Sequence, residues 1–523
     1  MVAYMNKRIV TLDGTTVNTL DVHDVAYGRA TVQVAPEAML KVKLARSVVD
    51  RIVEGDETVY GINTGFGSLV QTRVSQDDVE QLQLNLVRSH ATGLGPNLST
   101  EIVRAMMCVR LNSLVKGHSG CHPDVISQLE QFINHSIHPI IPRIGSLGAS
   151  GDLAPLSHLA CALVGEGNVE YNGEVISAYD AIQRCELAPL TLRAKDGLSL
   201  INGTSLITGM LAIAVEQLRQ LLTYADIVAA MSLDATESTL TPYDDRIHRT
   251  RPHLGQLFVA ERIRAILDDS TILSNHHECN RIQDPYSFRC IPQVHGPVQE
   301  SLHKLIQTVT IELNSSTDNP LIFPDPVDPG PHEVVSQGNF HAEVLGFVSD
   351  AMSLALFELS SMSERRIDQM LDPNRLAIKP FLADNAGLES GLMIVQYAAA
   401  AALGELHGHS TPRTAFSTTT SAGQEDHVSM GATASWNLLQ AIERCSEVIA
   451  CEAFVAHRAI TIIETPSSTC VQSMIRCMNN VVLEGRADRS TSDEIISIAD
   501  ELTKSSWLSI IQSTLKNPLR KSI

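Results

Sequence analysis

The chain has 523 residues, 44% of them hydrophobic and 19% charged, with a formal net charge of −20. The apolar share suffices for a buried core, and the length exceeds what one core usually serves, so about three domains or one large helical body is expected. The acidic balance excludes a phosphate-binding face for nucleic acid, and no Lys/Arg block suggests an anionic membrane. Aromatic residues make up only 4%, whereas Ala, Leu and Ile abound, which favours helix-on-helix packing over a β-sandwich.

The opening "MVAYMNKRIVTLDGTTVNTL" has neither an apolar h-region nor a small-residue cleavage site, so no signal peptide is expected. The β-branched pieces "RIVTL" and "ATVQVA" read as short strands, followed by a helix from Pro36 to Glu54. "YGINTGFGSLVQTRV", from residue 60, reads as a loop because Gly61, Gly65 and Gly67 interrupt any period. Ser75 then caps a helix, with Asp78 three residues on and Val79, Leu82, Leu86 and Val87 along one face, stopping near Gly93. Residues 205–235 form a strongly apolar helix, interrupted by Glu216 and Arg219 and too short in its apolar run to cross a membrane. Val298, Leu302, Leu305, Ile306, Val309 and Leu313 mark a helix over 296–314. The period runs unbroken over 341–371, a helix of about 45 Å ending at Asp372-Pro373, and further helices are expected over 431–463 and 492–515. "PDPVDPGPHE" is a turn-rich loop between helices. Long apolar helices without sustained heptads predict a packed bundle. The ten cysteines are scattered with no C-x-x-C pair, so neither a zinc cage nor a disulfide framework is suggested, and buried, reduced thiols of a cytosolic protein are expected.

Against this helical background "IGSLGASGDLAPLSH", starting at Ile144, crowds small residues around Ser150. A phosphate-cradling loop needs a Lys after its last glycine, where Asp152 stands. A nucleophile elbow needs G-x-S-x-G, and counting from Gly148 the fifth residue is again Asp152. A plain turn between helices remains open. So does autocatalytic cyclisation: the Gly151 nitrogen, free of Cβ crowding, closes a five-membered ring on the Ala149 carbonyl carbon, and loss of two waters leaves an exocyclic methylidene on Ser150. That would be an internal electrophile needing no metal and no external cofactor.

The segment resembles the signature of ammonia-lyases and aminomutases that carry the methylidene-imidazolone (MIO) group. "YGINTGFG", "NLVRSHATGLG", "INGTS", "QDPYSFRCIPQVHG", "ELNSSTDNPL", "GNFHAE", "SERRI" and "QEDHVSMG" extend the resemblance in the family's order over about residues 60–431. It implies a mainly α-helical fold of the ammonia-lyase/fumarase type, with a smaller mixed N-terminal lobe (1–205) carrying the electrophile and a long-helix bundle (206–523) behind it. It also implies a homotetramer whose active sites are shared between subunits, an MIO group from Ala149, Ser150 and Gly151, a small amino-acid substrate and a cytoplasmic enzyme.

By the same resemblance Tyr60 is the catalytic base. A phenol titrates near pH 10 unaided, so its surroundings must lower that value. Arg289 is the partner of the substrate carboxylate, which a guanidinium fork grips at both oxygens. Asn202 and Tyr286 match positions that hold the MIO group and its developing charge, Gln283 sits beside them, and Phe340 matches a pocket-lining position. His90 occupies the place that selects the side chain, and a histidine there suits tyrosine as well as histidine. Glu425 resembles the histidine-acting members, whereas phenylalanine and tyrosine enzymes tend to carry Gln at that place. A buried carboxylate wants an N–H donor, which imidazole supplies and benzene does not. The expected reaction is deamination of L-histidine to trans-urocanate and ammonia. A tyrosine or phenylalanine ammonia-lyase, an aminomutase, and a catalytically silent scaffold remain as alternatives. The stretches "HSTPRTAFSTTTSAG" and "ALGELHG", just upstream of Glu425, depart from the family's pattern.

Overall fold

The structure, a computed structural model, describes residues 7–55, 59, 61–62, 64, 78–275, 282–373, 379–463, 465–485, 487–515 and 518–520. The described residues are mainly helical, with four small sheets of two or three strands among them, as the composition predicts. It divides into two compact units. The first takes residues 1–213, 306–349 and 413–436, and the second takes 214–305, 350–412 and 437–523. Four of the five boundaries fall inside helices.

In the first unit the two β-branched pieces are strands Arg8–Leu12 and Ala30–Val34, paired in parallel from Arg8↔Ala30 to Leu12↔Val34. Helix Thr19–Ala26 connects them. Its start is a capping box in which Asn18 Oδ1 accepts from the Asp21 amide at 3.0 Å and Asp21 Oδ2 accepts from the Asn18 amide at 3.1 Å. Helix Pro36–Glu54 has the expected bounds, because Pro36 suits the first turn and Gly55 the stop, and it buries Ala38, Val42, Ala45, Val48, Val49 and Ile52. Helix Thr100–Val115 is buried all round from Ile102 onward, and among its buried side chains is Arg110. Ser75 lies outside the described residues, and the helix expected after it is described as Val79–His90.

The second unit holds its helices with buried polar clusters as well as apolar packing. Arg366 donates to both oxygens of Glu452, at 2.5 and 2.8 Å, and Ser232 donates to the same carboxylate at 2.7 Å. Asp226 accepts from Arg262 at 2.8 Å and lies 2.7 Å from His295 Nδ1. Removing one partner of such a pair strands a buried charge, typically at ~3–5 kcal/mol. The single helix expected over 492–515 is two, Ser492–Leu502 and Ser506–Thr514. The break has a local cause: Thr503 Oγ1 turns back to the Asp500 carbonyl at 3.2 Å and Ser506 to the Glu501 carboxylate, so short hydroxyl side chains compete with the helical pattern.

The other long helices are Ser205–Ala235, Ile291–Leu313, Glu343–Leu371 and Gly431–Ile462. Among the described residues, Glu343–Leu371 alone is long and apolar enough to cross a membrane, and 56% of its most apolar window is buried in the protein, as in a core helix. All nine described cysteines are free. Burial pushes Cys108, Cys121, Cys445, Cys451 and Cys470 up to about 12, which leaves them inert as nucleophiles.

Candidate active site

The small-residue segment is held by backbone contacts that only small residues permit. Gly148 and Gly151 have φ of +67° and +72°. Gly151 forms a bridge to Gly203, and the Asp152 amide donates to the Gly203 carbonyl at 2.8 Å. A Cβ on Gly151 would meet Gly203 backbone atoms at 2.3 Å. Gly203 is equally tight, since a Cβ there would meet Arg110 Nη1 at 2.3 Å at a φ of +139°. Gly203→Ala is therefore expected to destabilise the protein by at least ~1–3 kcal/mol, read as a lowered midpoint of thermal unfolding; an unchanged midpoint would refute this account of the packing.

The segment is pinned from both sides. The Gly148 carbonyl accepts from the Ala342 amide at 3.0 Å and from Ser429 Oγ at 2.9 Å, while the Met430 amide donates to Leu147 at 2.8 Å. Asp152 is fully buried and accepts from the Leu206 amide at 2.6 Å. Burial pushes its carboxyl up to about 7, against the opposing pull of that amide and of the Arg110 charge.

Ser150 and Ala149 face a cavity of about 590 Å³, a size suited to a small ligand, which His90, Asn202, Phe340, His341, Glu425 and His427 also line. Ser150 Oγ donates to Glu425 Oε1 at 2.5 Å, and Thr420 Oγ1 donates to Glu425 Oε2 at 2.6 Å. Asn202 Nδ2 donates to the Ser150 carbonyl at 3.3 Å, and its own Oδ1 is buried without a hydrogen bond. His90, at the end of helix Val79–His90, places Nδ1 2.8 Å from the Leu86 carbonyl. These features fit an MIO group: a turn with no room for a Cβ at Gly151, an amide bonded to the Ser150 carbonyl, and an orphaned acceptor beside it.

The structure thus brings together Ala149, Ser150, His90, Asn202, Phe340 and Glu425, with Gly151 buried behind them. It places the other expected residues elsewhere. Gln283 and Arg289 line a different cavity, of about 910 Å³, in the second unit. The Arg289 guanidinium lies over the Tyr286 ring, 4.8 Å from its centroid, and its Nε is buried without a hydrogen bond. Tyr286 itself is 71% exposed. Tyr60 lies outside the described residues.

Thr420 was not singled out by sequence reasoning. It sits in the stretch that departs from the family pattern, and its backbone is tied to Glu425 as well as its hydroxyl, with the Thr420 amide donating to the Glu425 carbonyl at 2.9 Å. His341 and His427 fall within quoted motifs, yet nothing in their spacing distinguishes them from structural histidines.

A family model described as aromatic amino acid lyase matches residues 17–480, and with the helical fold it makes the chain a carbon–nitrogen lyase. The histidine ammonia-lyase of Bacillus velezensis is 41% identical over 501 residues, covering 96% of this chain and 97% of the relative. The probable histidine ammonia-lyase of Halobacterium salinarum is 45% identical over 85% of this chain and 86% of its own. Among solved structures, histidine ammonia-lyase from Trypanosoma cruzi superposes with a TM-score of 0.89 at 36% identity, covering 98% of this chain and 96% of that one. Tyrosine aminomutase from Streptomyces globisporus gives a TM-score of 0.92 at 33% identity, covering 98% of this chain and 100% of the other. The chain belongs to the aromatic amino acid lyase family.

Proposed function

We propose that this chain is a cytoplasmic histidine ammonia-lyase that converts L-histidine to trans-urocanate and ammonia, using an MIO group formed from Ala149, Ser150 and Gly151. The observation that carries this reading is the meeting of Ser150 and Glu425 at 2.5 Å in one cavity. It sets a carboxylate beside the electrophilic position, where an imidazole N–H can answer it. The similarity to histidine ammonia-lyases over nearly the whole chain supports the same substrate.

When formed, the MIO group supplies an electrophile that turns the substrate amine into a leaving group. The residues then divide the work. Glu425, held by Thr420, accepts from the imidazole, His90 and Phe340 bound the ring, and Asn202 steadies the Ser150 carbonyl. Tyr60 takes the β-proton. Arg289 grips the carboxylate, with Tyr286 and Gln283 beside it.

The family resemblance supports a homotetramer with shared active sites, in which partner subunits supply Arg289, Tyr286 and Gln283. Light scattering is expected to report four chains. Variants Ser150→Ala and Arg289→Ala are each expected to be inactive alone. Co-expressed, they should regain activity in mixed oligomers, and no recovery would count against shared sites.

A panel of L-histidine, L-tyrosine and L-phenylalanine, read by the acrylate absorption and by chromatography for β-amino acids, tests the substrate. Urocanate from histidine is the expected result. A β-amino acid from tyrosine would favour an aminomutase, whose fold this chain shares and whose substrate hydroxyl could donate to Glu425.

A further inference from the structure

A second constellation shares the first unit with Ser150 and plays no part in the chemistry above. His341, Glu343 and His427 each offer one ligand atom, and the three atoms lie within 4.8 Å of one another. Glu343 Oε2 is 3.5 Å from His427 Nε2 and 3.9 Å from His341 Nδ1, and it is buried with no hydrogen bond.

The remaining ring nitrogens explain which way the lone pairs point. His341 Nε2 lies 3.3 Å from the His427 carbonyl, which only accepts, so this nitrogen carries the proton and leaves the Nδ1 lone pair towards Glu343. His427 Nδ1 lies 3.2 Å from Ser417 Oγ, which accepts from the Val428 amide at 2.9 Å. With Nδ1 donating to that hydroxyl, the Nε2 lone pair faces the same carboxylate oxygen. Two imidazole nitrogens and a carboxylate oxygen thus converge on one point, an arrangement that a divalent cation satisfies.

We infer that His341, Glu343 and His427 form a binding site for one divalent transition-metal ion of the zinc class. Two imidazoles and a carboxylate, with each imidazole's other nitrogen tied to an oxygen, make up the donor set and outer shell typical of such sites. Tetrahedral coordination needs ligand atoms about 3.4 Å apart. The present separations close to that value by a small turn of His427, whose side chain is 63% exposed. Glu343 is fixed as the first residue of helix Glu343–Leu371. The His341 amide donates to the Gly338 carbonyl at 3.0 Å, which holds its backbone in place. Three protein ligands leave a fourth position open to water. The ion ties the segment bearing Phe340 to the segment bearing Glu425, two parts of one cavity wall, and so orders the residues that meet a substrate. It takes no part in the elimination, and the site stands independently of the substrate reading.

The test uses the full-length chain stripped with a chelator and titrated with Co²⁺ alone, followed by visible absorption and equilibrium dialysis. One Co²⁺ per chain is expected, with ligand-field bands of a four- or five-coordinate nitrogen/oxygen site, no thiolate charge-transfer band, and displacement by Zn²⁺. His427→Ala and Glu343→Gln are expected to weaken binding at least a hundredfold, and Ser417→Ala about tenfold. His427 is surface-exposed, so its variant tests binding without challenging the fold, which circular dichroism verifies. Absence of bound Co²⁺, a thiolate band, or wild-type affinity in the His427→Ala variant would each overturn the inference. Cobalt binding by a chain that leaves histidine untouched would sink the proposed activity and leave this site standing.

Discussion

Replacing Ser150 with alanine is expected to remove turnover of histidine by at least about 10⁴-fold, the range met when a group that bonds covalently to substrate is lost. The reason is chemical. Without the Oγ hydroxyl no second water can leave, no methylidene forms, and the α-amine departs only as a poor leaving group. The scaffold has little stake in the hydroxyl, whose one described side-chain bond is to Glu425. The variant should therefore keep the wild-type circular dichroism spectrum and unfold near the wild-type temperature. Intact mass gives the direct reading: the wild-type chain should be lighter than its sequence by two waters, and the variant should not. A folded variant that still makes urocanate at the wild-type rate would end the MIO reading.

Glu425→Gln should have the second largest effect and a different signature. The cavity, the Ser150 turn and its modification remain, so the mass deficit of two waters should persist. The charge that answers the imidazole N–H is gone. A hydrogen bond to a charged group contributes up to ~3 kcal/mol, so kcat/KM for histidine should fall about a hundredfold or more. The ratio of histidine to phenylalanine turnover should fall with it, because the variant no longer strands a charge beside an apolar ring. Thr420→Val should act in the same direction and more weakly, since Thr420 Oγ1 holds the other carboxylate oxygen at 2.6 Å. Equal losses for all three amino acids in Glu425→Gln would assign Glu425 to the common chemistry and remove it from ring selection.

The features legible in the sequence are those whose causes are local. Pro36 and Gly55 bracket a helix because each acts on its own backbone, and the predicted and observed bounds agree. The β-branched pieces form the expected strands, which the structure pairs in parallel. The string around Ser150 announces its peculiarity because side-chain-free positions are needed wherever backbones touch, and the contact with Gly203 is such a place. Where the reading of local pattern slipped, at 503–506, apolar periodicity continued through hydroxyl residues whose side chains had found other partners.

By itself the sequence determined the helical class, the small-residue turn around Ser150 and the membership of a family, since periodicity, steric permission and ordered motifs are carried by neighbouring residues. The tertiary structure alone decided that residues 306–349 and 413–436 join the first unit, that Glu425 meets a serine 275 positions away, and that Arg289 lines another cavity. It alone also turned two unremarked histidines toward Glu343. Such contacts depend on which helix faces are buried together, and a chain records that choice only in the sum of its packing energies, never in the spacing of the residues that finally touch.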